Sequence, residues 1–233
     1  MTQALFHAAR PVTLVGGGPV DPRQLEAALR LAPEALAADG GGNLALPGGR
    51  RFRAVIGDMD SLRDPAALAR AGVALYPIAE QDSTDLEKCL YSVEAPLFLG
   101  LGFLGGRLDH QLAAMSALAK HPEQRVMLLG GEDICFLCPP AFELDLAVGT
   151  RVSLFPMGPV GGLRSEGLRW SVAGLDFAPG GRIGTSNEAL GGPMRIAFDA
   201  PRMLVVLPGD LLAPVVAQLR GAGALSRQAP ASR

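Results

Sequence analysis

The sequence predicts an α/β N-terminal domain with a mostly parallel sheet, followed by an all-β sandwich domain. Through about residue 138, short apolar strand segments alternate with amphipathic helical segments, the pattern of a parallel sheet covered by helices. Beyond Pro139 and Pro140, short strand segments are separated by glycine and proline turns, which is typical of an antiparallel sandwich or barrel. We therefore expect two domains, at residues 1–138 and 139–233.

Composition limits the classes of function. The 233 residues carry 21 Lys and Arg against 23 Asp and Glu, and 48% are hydrophobic, which excludes a mostly disordered chain. A formal charge of −2 gives no reason to expect a nucleic-acid partner, and no apolar run approaches the roughly 20 residues of a membrane helix. Three cysteines and a start without a secretory pattern favour a cytoplasmic protein with no membrane partner.

The N-terminal elements follow from apolar periodicity. Asp21 and Pro22 form an N-cap and a first helical position, after which Leu25, Ala28 and Leu29 share one face. Two further helices are expected, with apolar residues spaced i, i+4, i+7: Leu86, Leu90 and Val93 in one, Leu108, Leu112 and Met115 in the other. Strands are expected at residues 12–15, 35–38, 54–56, 73–78, 96–101 and 125–129.

The C-terminal half reads as short strands and one helix. The helix is expected at residues 210–219, and the chain from Gly221 onward resembles a frayed tail. Strands are expected at residues 142–146, 151–155, 168–172, 194–198 and 203–207.

Charged residues follow four of the N-terminal strands. Because ligands of open α/β sheets bind beyond the carboxyl ends of the strands, we expect these loops to converge in space. The residues concerned are Asp39, Asp58, Asp60, Asp82, Asp85, Lys88, Arg107 and Asp109.

Asp58 and Asp60 flank a single residue directly after a strand. In an extended turn, residues i and i+2 point the same way, so both carboxylates can face one ion. Such hard oxygen ligands suit Mg²⁺, which proteins hold by one or two carboxylates plus phosphate oxygens. The alternative is a solvated turn, since Asp, Gly and Ser all form turns.

Asp82, Asp85 and Lys88 are spaced three residues apart, on the helical face opposite the Leu86 stripe. Asp82 could be only an N-cap, and Asp85 with Lys88 only a surface pair. Lys88 is nonetheless one of two lysines in the chain, and lysine serves phosphate as a point charge.

Residues 105–110 lie where a strand turns into a helix, and include Gly106, Arg107 and Asp109. Free N–H groups and the helix dipole there attract phosphate, and Arg107 can add a bidentate contact. The alternative is a glycine-rich turn capped by Asp109. The G-x-G-x-x-G match at residues 100–105 follows a late strand and lacks the acidic partner of a dinucleotide site.

Together these groups supply what a magnesium–polyphosphate complex needs: oxygen ligands, an ammonium, a guanidinium and a helix N-terminus. Phosphoryl-type transfer depends mostly on positioning and charge neutralisation. The residues therefore favour a nucleotide-dependent transferase.

Several motifs in order resemble those of the thiamine pyrophosphokinase family. The resemblance implies an α/β domain and a β-sandwich domain, a homodimer with the active site near the subunit interface, and transfer of diphosphate from Mg–ATP to thiamine with release of AMP. The motifs are Ala38-Asp39-Gly40-Gly41-Gly42-Asn43, Gly57-Asp58-Met59-Asp60-Ser61, Gln81-Asp82-Ser83-Thr84-Asp85-Leu86-Glu87-Lys88, Gly105-Gly106-Arg107-Leu108-Asp109-His110, Gly167-Leu168-Arg169-Trp170 and Thr185-Ser186-Asn187-Glu188.

The resemblance also implies roles for individual residues. Metal ligands would be Asp58, Asp60 and Asp85. Catalytic residues would be Asp58, Asp60, Asp82, Asp85 and Lys88. Nucleotide contacts would come from Asp39, Gln81, Lys88, Gly106, Arg107 and Asp109. Thiamine would be bound by Ser186 and Asn187, and by Trp170 if that ring stacks on the substrate; the alternative for Trp170 is a core position in the sandwich.

Two departures and three alternatives accompany this interpretation. Ala114 stands where many family members carry asparagine, and Gly42 where alanine is common. A pyrophosphokinase for another primary alcohol, such as a hydroxymethylpterin, would use the same phosphate machinery. A module that binds Mg–ATP without transferring anything would show binding but release no AMP, and a protein whose motifs are only turns and caps would not respond to ATP.

Overall fold

The computed structural model describes residues 4–221, which form three β-sheets, of ten, four and two strands, and five α-helices. Three short 3₁₀ turns lie at Asp39–Asn43, Pro47–Gly49 and Gly209–Leu211. The helices are α1 (Pro22–Leu31), α2 (Pro65–Arg70), α3 (Asp85–Ser92), α4 (Leu108–Lys120) and α5 (Leu212–Gly221). The strands are β1 (Phe6–His7), β2 (Val12–Val15), β3 (Glu34–Ala38), β4 (Ala54–Gly57), β5 (Ala74–Pro77), β6 (Val93–Glu94), β7 (Phe98–Leu101), β8 (Val126–Gly130), β9 (Asp133–Leu137), β10 (Ala141–Leu146), β11 (Arg151–Pro156), β12 (Val160–Glu166), β13 (Asp176–Phe177), β14 (Gly184–Glu188), β15 (Gly192–Phe198) and β16 (Met203–Pro208).

The larger sheet has ten strands in the order β14-β11-β16-β9-β8-β7-β2-β3-β4-β5. The six strands from β8 to β5 are parallel, and the remaining pairs are antiparallel. The parallel strands β2, β3, β4, β7 and β8 are nearly continuous apolar runs, since helices cover both faces of that part of the sheet. The predicted parallel α/β architecture is thereby confirmed.

The second sheet has four antiparallel strands in the order β10-β15-β12-β13 and belongs to the C-terminal half. Its apolar residues share one buried cluster with those of β11 and β16. The rings of Phe136 on β9 and Phe142 on β10 lie 5.1 Å apart, which joins the two sheets face to face. This packing confirms the predicted sandwich.

The large sheet runs across the predicted domain boundary. Strand β9, which precedes the Pro139-Pro140 pair, is hydrogen-bonded to β8 on one side and to β16 on the other. The two halves therefore share backbone pairing, and the division between residues 138 and 139 stays a prediction.

Helices α1 and α3 have the predicted apolar faces. In α1, Asp21 caps the helix by accepting from the N–H groups of Arg23 and Gln24 at 2.7 and 3.1 Å. Buried apolar residues on the two helices are Leu25, Ala28 and Leu29, and Leu86 and Leu90.

Helix α4 forms where predicted, but the prediction of which of its faces is buried was wrong. Leu108 and Leu112 are 70% and 62% exposed, whereas Ala114, Ala117 and Leu118 are buried. The helix is apolar on two faces, and the face with small side chains is the one that packs closely on the protein. Periodicity alone could not choose between the two faces.

Other differences lie mainly in the sandwich. Residues 168–172 form no strand; Leu168 makes one isolated bridge with Ala189. Strands β1, β6, β12, β13 and β14 and helix α2 were not predicted; β12 and β14 are rich in glycine and polar residues and have little strand character of their own. The predicted C-terminal helix is confirmed as α5, and the expected tail beyond Gly221 lies outside the described residues. Within residues 4–221, no helix has both the length and the apolar character needed to cross a membrane.

Candidate functional site

A cavity of about 690 Å³ opens at the carboxyl edge of the parallel strands. In the sheet, β3, β4 and β5 follow one another on one side of β2, whereas β8 lies on the opposite side, next to β7. The chain therefore leaves the adjacent strands β2 and β7 in opposite directions. Such a switch point is where open α/β sheets bind ligands, and the volume falls in the usual range for small-molecule sites. The four predicted loops contribute to this one cavity.

The loops after β2 and β7 approach each other backbone to backbone. A Cβ on Gly18 would lie 2.6 Å from the carbonyl oxygen of Gly102, and Gly102 itself has a φ of 77°. The N–H of Gly18 donates to that carbonyl at 2.9 Å. Glycine is therefore required sterically at the base of the cavity.

Three carboxylates form a cluster on this edge. Asp39, Asp58 and Asp60 each offer an oxygen, and these atoms all lie within 4.8 Å of one another. Asp39 is 4% exposed, and its Oδ1 has no hydrogen-bond partner among the described residues. A buried carboxylate oxygen without a donor is costly unless a cation is present. The cluster therefore fits a hard divalent ion. Its third member is Asp39, whereas the expected third metal ligand was Asp85.

The turn that brings Asp58 and Asp60 together is not extended. Met59 between them has a φ of 68°, in the left-handed region, so the expectation of an extended i, i+2 arrangement was wrong. The N–H of Asp60 donates to Oδ1 of Asp58 at 3.3 Å, which closes the turn locally. Both carboxylates nonetheless reach the same cluster.

Lys88 lies beside the cluster in a buried position. Its side chain is 2% exposed, and Nζ lies 3.3 Å from Oδ1 of Asp85 and 3.7 Å from Oδ2 of Asp58. Burial opposes the charge of Lys88, but the two carboxylates outweigh it and raise its pKa. Burial raises the pKa of Asp85 even though Lys88 acts in the opposite direction. The ammonium of Lys88 thus joins Asp85 to the acidic cluster. The alternative that Asp85 and Lys88 form only a surface ion pair was wrong, because Lys88 is buried.

Gln81 and Asp82 differ in position. Nε2 of Gln81 donates to Oδ2 of Asp58 at 3.1 Å, and this bond lowers the pKa of Asp58. Asp82 is exposed and is not among the described residues that line the cavity. The N-cap of α3 is Thr84, so the capping role considered for Asp82 was wrong, and its catalytic role stays a prediction.

Arg107 and Asp109 pair with each other at the start of α4. Nε and Nη2 of Arg107 donate to the two carboxylate oxygens of Asp109 at 3.1 and 2.5 Å, lowering the pKa of Asp109 and raising that of Arg107. Arg107 and Gly106 line the cavity, whereas Asp109 is not among the described residues that do so. Asp109 is not the N-cap of α4; its Oδ1 accepts from the N–H of His110 at 3.0 Å, and its carboxylate orients the guanidinium of Arg107.

Sequence reasoning missed two basic cavity residues, Arg63 and His110. Arg63 follows Asp60 in the same loop, and His110 lies one turn after Arg107 on α4. Each lies three residues after a predicted site residue, and this spacing could have indicated both from the sequence.

The predicted thiamine residues lie on the sandwich. Trp170 is 54% exposed, so the core alternative was wrong, and the guanidinium carbon of Arg169 lies 5.1 Å from its ring centroid. Asn187 is buried; its Oδ1 accepts from the N–H of Trp170 at 3.1 Å, and its Nδ2 donates to the carbonyl of Trp170 at 2.7 Å. Ser186 is exposed with a φ of 60°. Asn187 therefore holds the tryptophan in place, beside an exposed serine.

These sandwich residues do not reach the cavity of their own chain. Among the described residues, those that line the cavity end at Ala114, on α4. The groups predicted for the phosphates and the groups predicted for thiamine are thus separate within one chain.

The fold and cavity define a two-domain α/β protein with an acidic, glycine-based pocket at a sheet switch point. Two family models match the chain: "Thiamin pyrophosphokinase, catalytic domain" over residues 26–128, and "Thiamin pyrophosphokinase, vitamin B1 binding domain" over residues 141–203. The chain belongs to the thiamin pyrophosphokinase family.

Curated relatives with this name match part of the chain. Thiamine pyrophosphokinase 1 of Oryza sativa subsp. japonica is 32% identical over 162 residues, which cover 62% of this chain and 61% of that protein. Thiamine pyrophosphokinase 1 of Arabidopsis thaliana is 32% identical over 149 residues, 56% of each chain. The chain therefore spans about three fifths of the length of the relatives it matches.

Solved structures match the fold over more of the chain. Yeast thiamin pyrophosphokinase aligns with a TM-score of 0.72 at 18% identity, covering 91% of this chain and 88% of that one. Thiamin pyrophosphokinase from Geobacillus thermodenitrificans aligns with a TM-score of 0.67 at 22% identity, covering 85% and 96%. The two-domain architecture is that of these proteins.

The two departures noted in the sequence have different settings. A Cβ on Gly42 would lie 2.9 Å from Cδ2 of Leu62 and 3.0 Å from Cγ2 of Val55, so alanine here requires the end of the Leu62 side chain to shift. Ala114 is 3% exposed and lines the cavity, where a longer side chain would take up cavity space.

Proposed function

We propose that this protein is an ATP:thiamine diphosphotransferase, which transfers a diphosphoryl group from Mg–ATP to thiamine and releases AMP. The observation that carries the proposal is the cavity itself, whose wall includes two of the three clustered carboxylates, a buried ammonium and an exposed guanidinium. Family membership supports thiamine over another alcohol such as a hydroxymethylpterin, and supports an enzyme over a binding module.

Asp58, Asp60 and Asp39 are the residues that fit Mg²⁺ best. The buried Oδ1 of Asp39 lacks a donor among the described residues, and the cluster supplies the oxygen ligands that this ion prefers. Asp85 contacts Lys88 and adds a fourth carboxylate to these three; together the four form the acidic set. Bound Mg²⁺ would neutralise phosphate charge and align the triphosphate.

Lys88 and Arg107 neutralise further phosphate charge. Lys88 is oriented by Asp85 and Asp58, and Arg107 by Asp109, so both cations are positioned before substrate arrives. Such preorganised charge favours a transition state in which negative charge builds up on phosphate oxygens. Gln81 holds Asp58 through its amide.

The transfer is an in-line displacement at the β-phosphorus of ATP. A bond forms between the hydroxyl oxygen of thiamine and the β-phosphorus, and the bond from that phosphorus to the α,β-bridging oxygen breaks. AMP leaves with the bridging oxygen, and the hydroxyl proton passes to a carboxylate of the acidic set.

Thiamine binding is assigned to the sandwich and to a second copy of the chain. Trp170 offers an exposed ring for a cationic heterocycle, and Ser186 an exposed hydroxyl beside it. Because the described cavity of one chain ends at Ala114, we place the sandwich of the partner subunit over it, as a homodimer with its active site near the interface. The cytoplasmic location remains part of the proposal; Cys89, Cys135 and Cys138 are all free and buried, as a reducing compartment permits.

Product analysis tests this function. Purified protein is incubated with ATP, Mg²⁺ and thiamine, and the products are separated by chromatography. Equal amounts of AMP and thiamine diphosphate are expected. Formation of ADP, or consumption of ATP only with a hydroxymethylpterin, would contradict the proposal, and tight Mg–ATP binding without AMP would indicate a binding module.

A further inference from the structure

The loop at residues 80–84 is organised by one carboxylate, that of Glu80. Its Oε2 accepts from the N–H of Asp82 at 2.7 Å and from the N–H of Ser83 at 3.0 Å. Its Oε1 accepts from the hydroxyl of Tyr91 at 2.9 Å and from the hydroxyl of Ser83. Four donors thus converge on a single side chain that does not itself line the cavity.

The same bonds hold Glu80 in its charged form. The hydrogen bond from Ser83 is the largest contribution, and with those from Tyr91 and the two N–H groups it lowers the pKa of Glu80 to about 2. Glu80 is therefore an ionised acceptor throughout the physiological range, and bonds to charged acceptors are the stronger ones.

These contacts fix what the loop presents to the cavity. The N–H groups of Asp82 and Ser83 point to Glu80, and that of Thr84 points to Glu87 at 3.0 Å, so these three donors are already used. The loop side chain that reaches the acidic cluster is that of Gln81, which donates to Asp58. Tyr91 lies on α3, so its bond to Glu80 also ties the loop to the helix that carries Lys88.

We infer that Glu80 is a positioning residue for the acidic cavity, acting through Gln81. It holds the loop in the one conformation in which Gln81 reaches Asp58. The expected effect on binding of the ATP analogue rests on the proposed function. The structural part of the inference depends only on the hydrogen bonds of the loop.

The variant Glu80→Gln tests this inference because it keeps the shape of the side chain and removes its charge. Its carboxamide carries no charge, so the N–H groups of Asp82 and Ser83 bond to a neutral oxygen, and the hydroxyls of Ser83 and Tyr91 must turn to accept from its amide nitrogen. We expect the N–H groups of Asp82 and Ser83 to exchange with solvent about tenfold faster, measured by NMR. We also expect the affinity for Mg²⁺ with an unreactive ATP analogue, measured by calorimetry, to fall about tenfold.

A double-mutant cycle separates positioning from a general loss of stability. In the Gln81→Ala background, Glu80→Gln should weaken analogue binding less than twofold, because the residue through which it acts is gone. Glu26→Gln, on the exposed face of α1, is the matched control for loss of a surface carboxylate and should leave both readouts unchanged. Tyr91→Phe removes one of the four donors and should give a smaller change in the same direction.

Unchanged exchange at Asp82 and Ser83 would overturn the inference, as would fully additive effects of the two substitutions. The result remains distinguishable from failure of the proposed function. If the wild-type protein makes no thiamine diphosphate, the proposed function fails, while amide exchange and analogue binding still report on Glu80.

Discussion

The ammonium of Lys88 lies 3.3 Å from Oδ1 of Asp85, one helical turn away, with only 2% of the lysine side chain exposed. A buried lysine is uncommon unless it is paired, and here the pair stands at the wall of the cavity. The burial has a simple origin: α3 turns its apolar stripe to the sheet and carries Lys88 along the edge of that contact. The positive charge at the wall of the cavity is therefore held in place by the core of the fold.

Lys88→Met should abolish most turnover while the protein stays folded. The methionine fills similar space, and the carboxylates of Asp85 and Asp58 keep contact with water, so unfolding should change by less than about 2 kcal/mol. Loss of a preorganised charge should lower kcat/KM about 100-fold or more. The matched control is Lys120→Met, at the only other lysine of the chain, which is 58% exposed and should stay within about twofold of wild type. Equal losses in both variants would contradict the role of Lys88.

Gly57→Ala should weaken metal-dependent nucleotide binding. A Cβ at this position would lie 2.7 Å from Cβ of Asp39, so the buried aspartate must move away from the acidic cluster. We expect affinity for Mg²⁺ with an ATP analogue to fall about tenfold, measured by calorimetry, with a stability loss of about 1–3 kcal/mol.

The control for that substitution is Gly72→Ala. Gly72 also has a positive φ, 82°, but a Cβ there would meet nothing within 4 Å. Backbone strain should cost about 1 kcal/mol, with no change in nucleotide binding. If both variants bind the analogue like wild type, Asp39 does not belong to the metal site.

Glu87→Gln should destabilise the protein in a pH-dependent way. Burial opposes the charge of Glu87, but Lys120, whose Nζ lies 2.8 Å from Oε1, and the capping bonds of Thr84 lower its pKa overall. A carboxylate whose pKa is lowered on folding stabilises above its unfolded value near 4.5, and this contribution disappears as the pH falls through the folded value. We expect a loss of about 1–2 kcal/mol at pH 7 by urea unfolding. A difference from wild type that does not shrink toward pH 3 would refute the electrostatic explanation.

Mixing two inactive variants tests the shared active site. Asp60→Asn disables the acidic cluster of its own chain, and Trp170→Ala removes the exposed ring of the sandwich. In an equal mixture of exchanging subunits, half the dimers are mixed and each has one intact site, so activity should return to about a quarter of wild type. No recovery, with subunit exchange verified by mass spectrometry, would place both residues in the site of one chain.

Much of this organisation could be predicted from the sequence, for physical reasons. Charged loops after parallel strands must meet at one edge of the sheet, which places Asp39 and Asp58 together, and Lys88 was found from its helical spacing to Asp85 and from the scarcity of lysine in the chain. The alternation of strands and helices was equally clear, because each apolar run is long enough to show its period.

What could not be predicted depends on tertiary contacts. The buried state of Lys88 depends on how α3 packs on the sheet. The left-handed turn at Met59 and the absence of Asp82 from the described cavity lining depend on the conformations of two loops. Likewise, the exposed face of α4 was decided by close packing of Ala114 and Ala117, since Leu108 and Leu112 have the same period. The local sequence pattern does not determine which of two apolar helix faces is buried.

The central claim is that the carboxyl edge of the parallel sheet binds a metal-bound triphosphate in position for attack at its β-phosphorus. A crystal structure with Mg²⁺, thiamine and an unreactive ATP analogue measures this directly. We expect a metal ion about 2.1 Å from oxygens of Asp58 and Asp60, and phosphate oxygens within hydrogen-bond distance of Lys88 and Arg107. A triphosphate bound away from these residues, with the acidic cluster free of metal, would contradict the account.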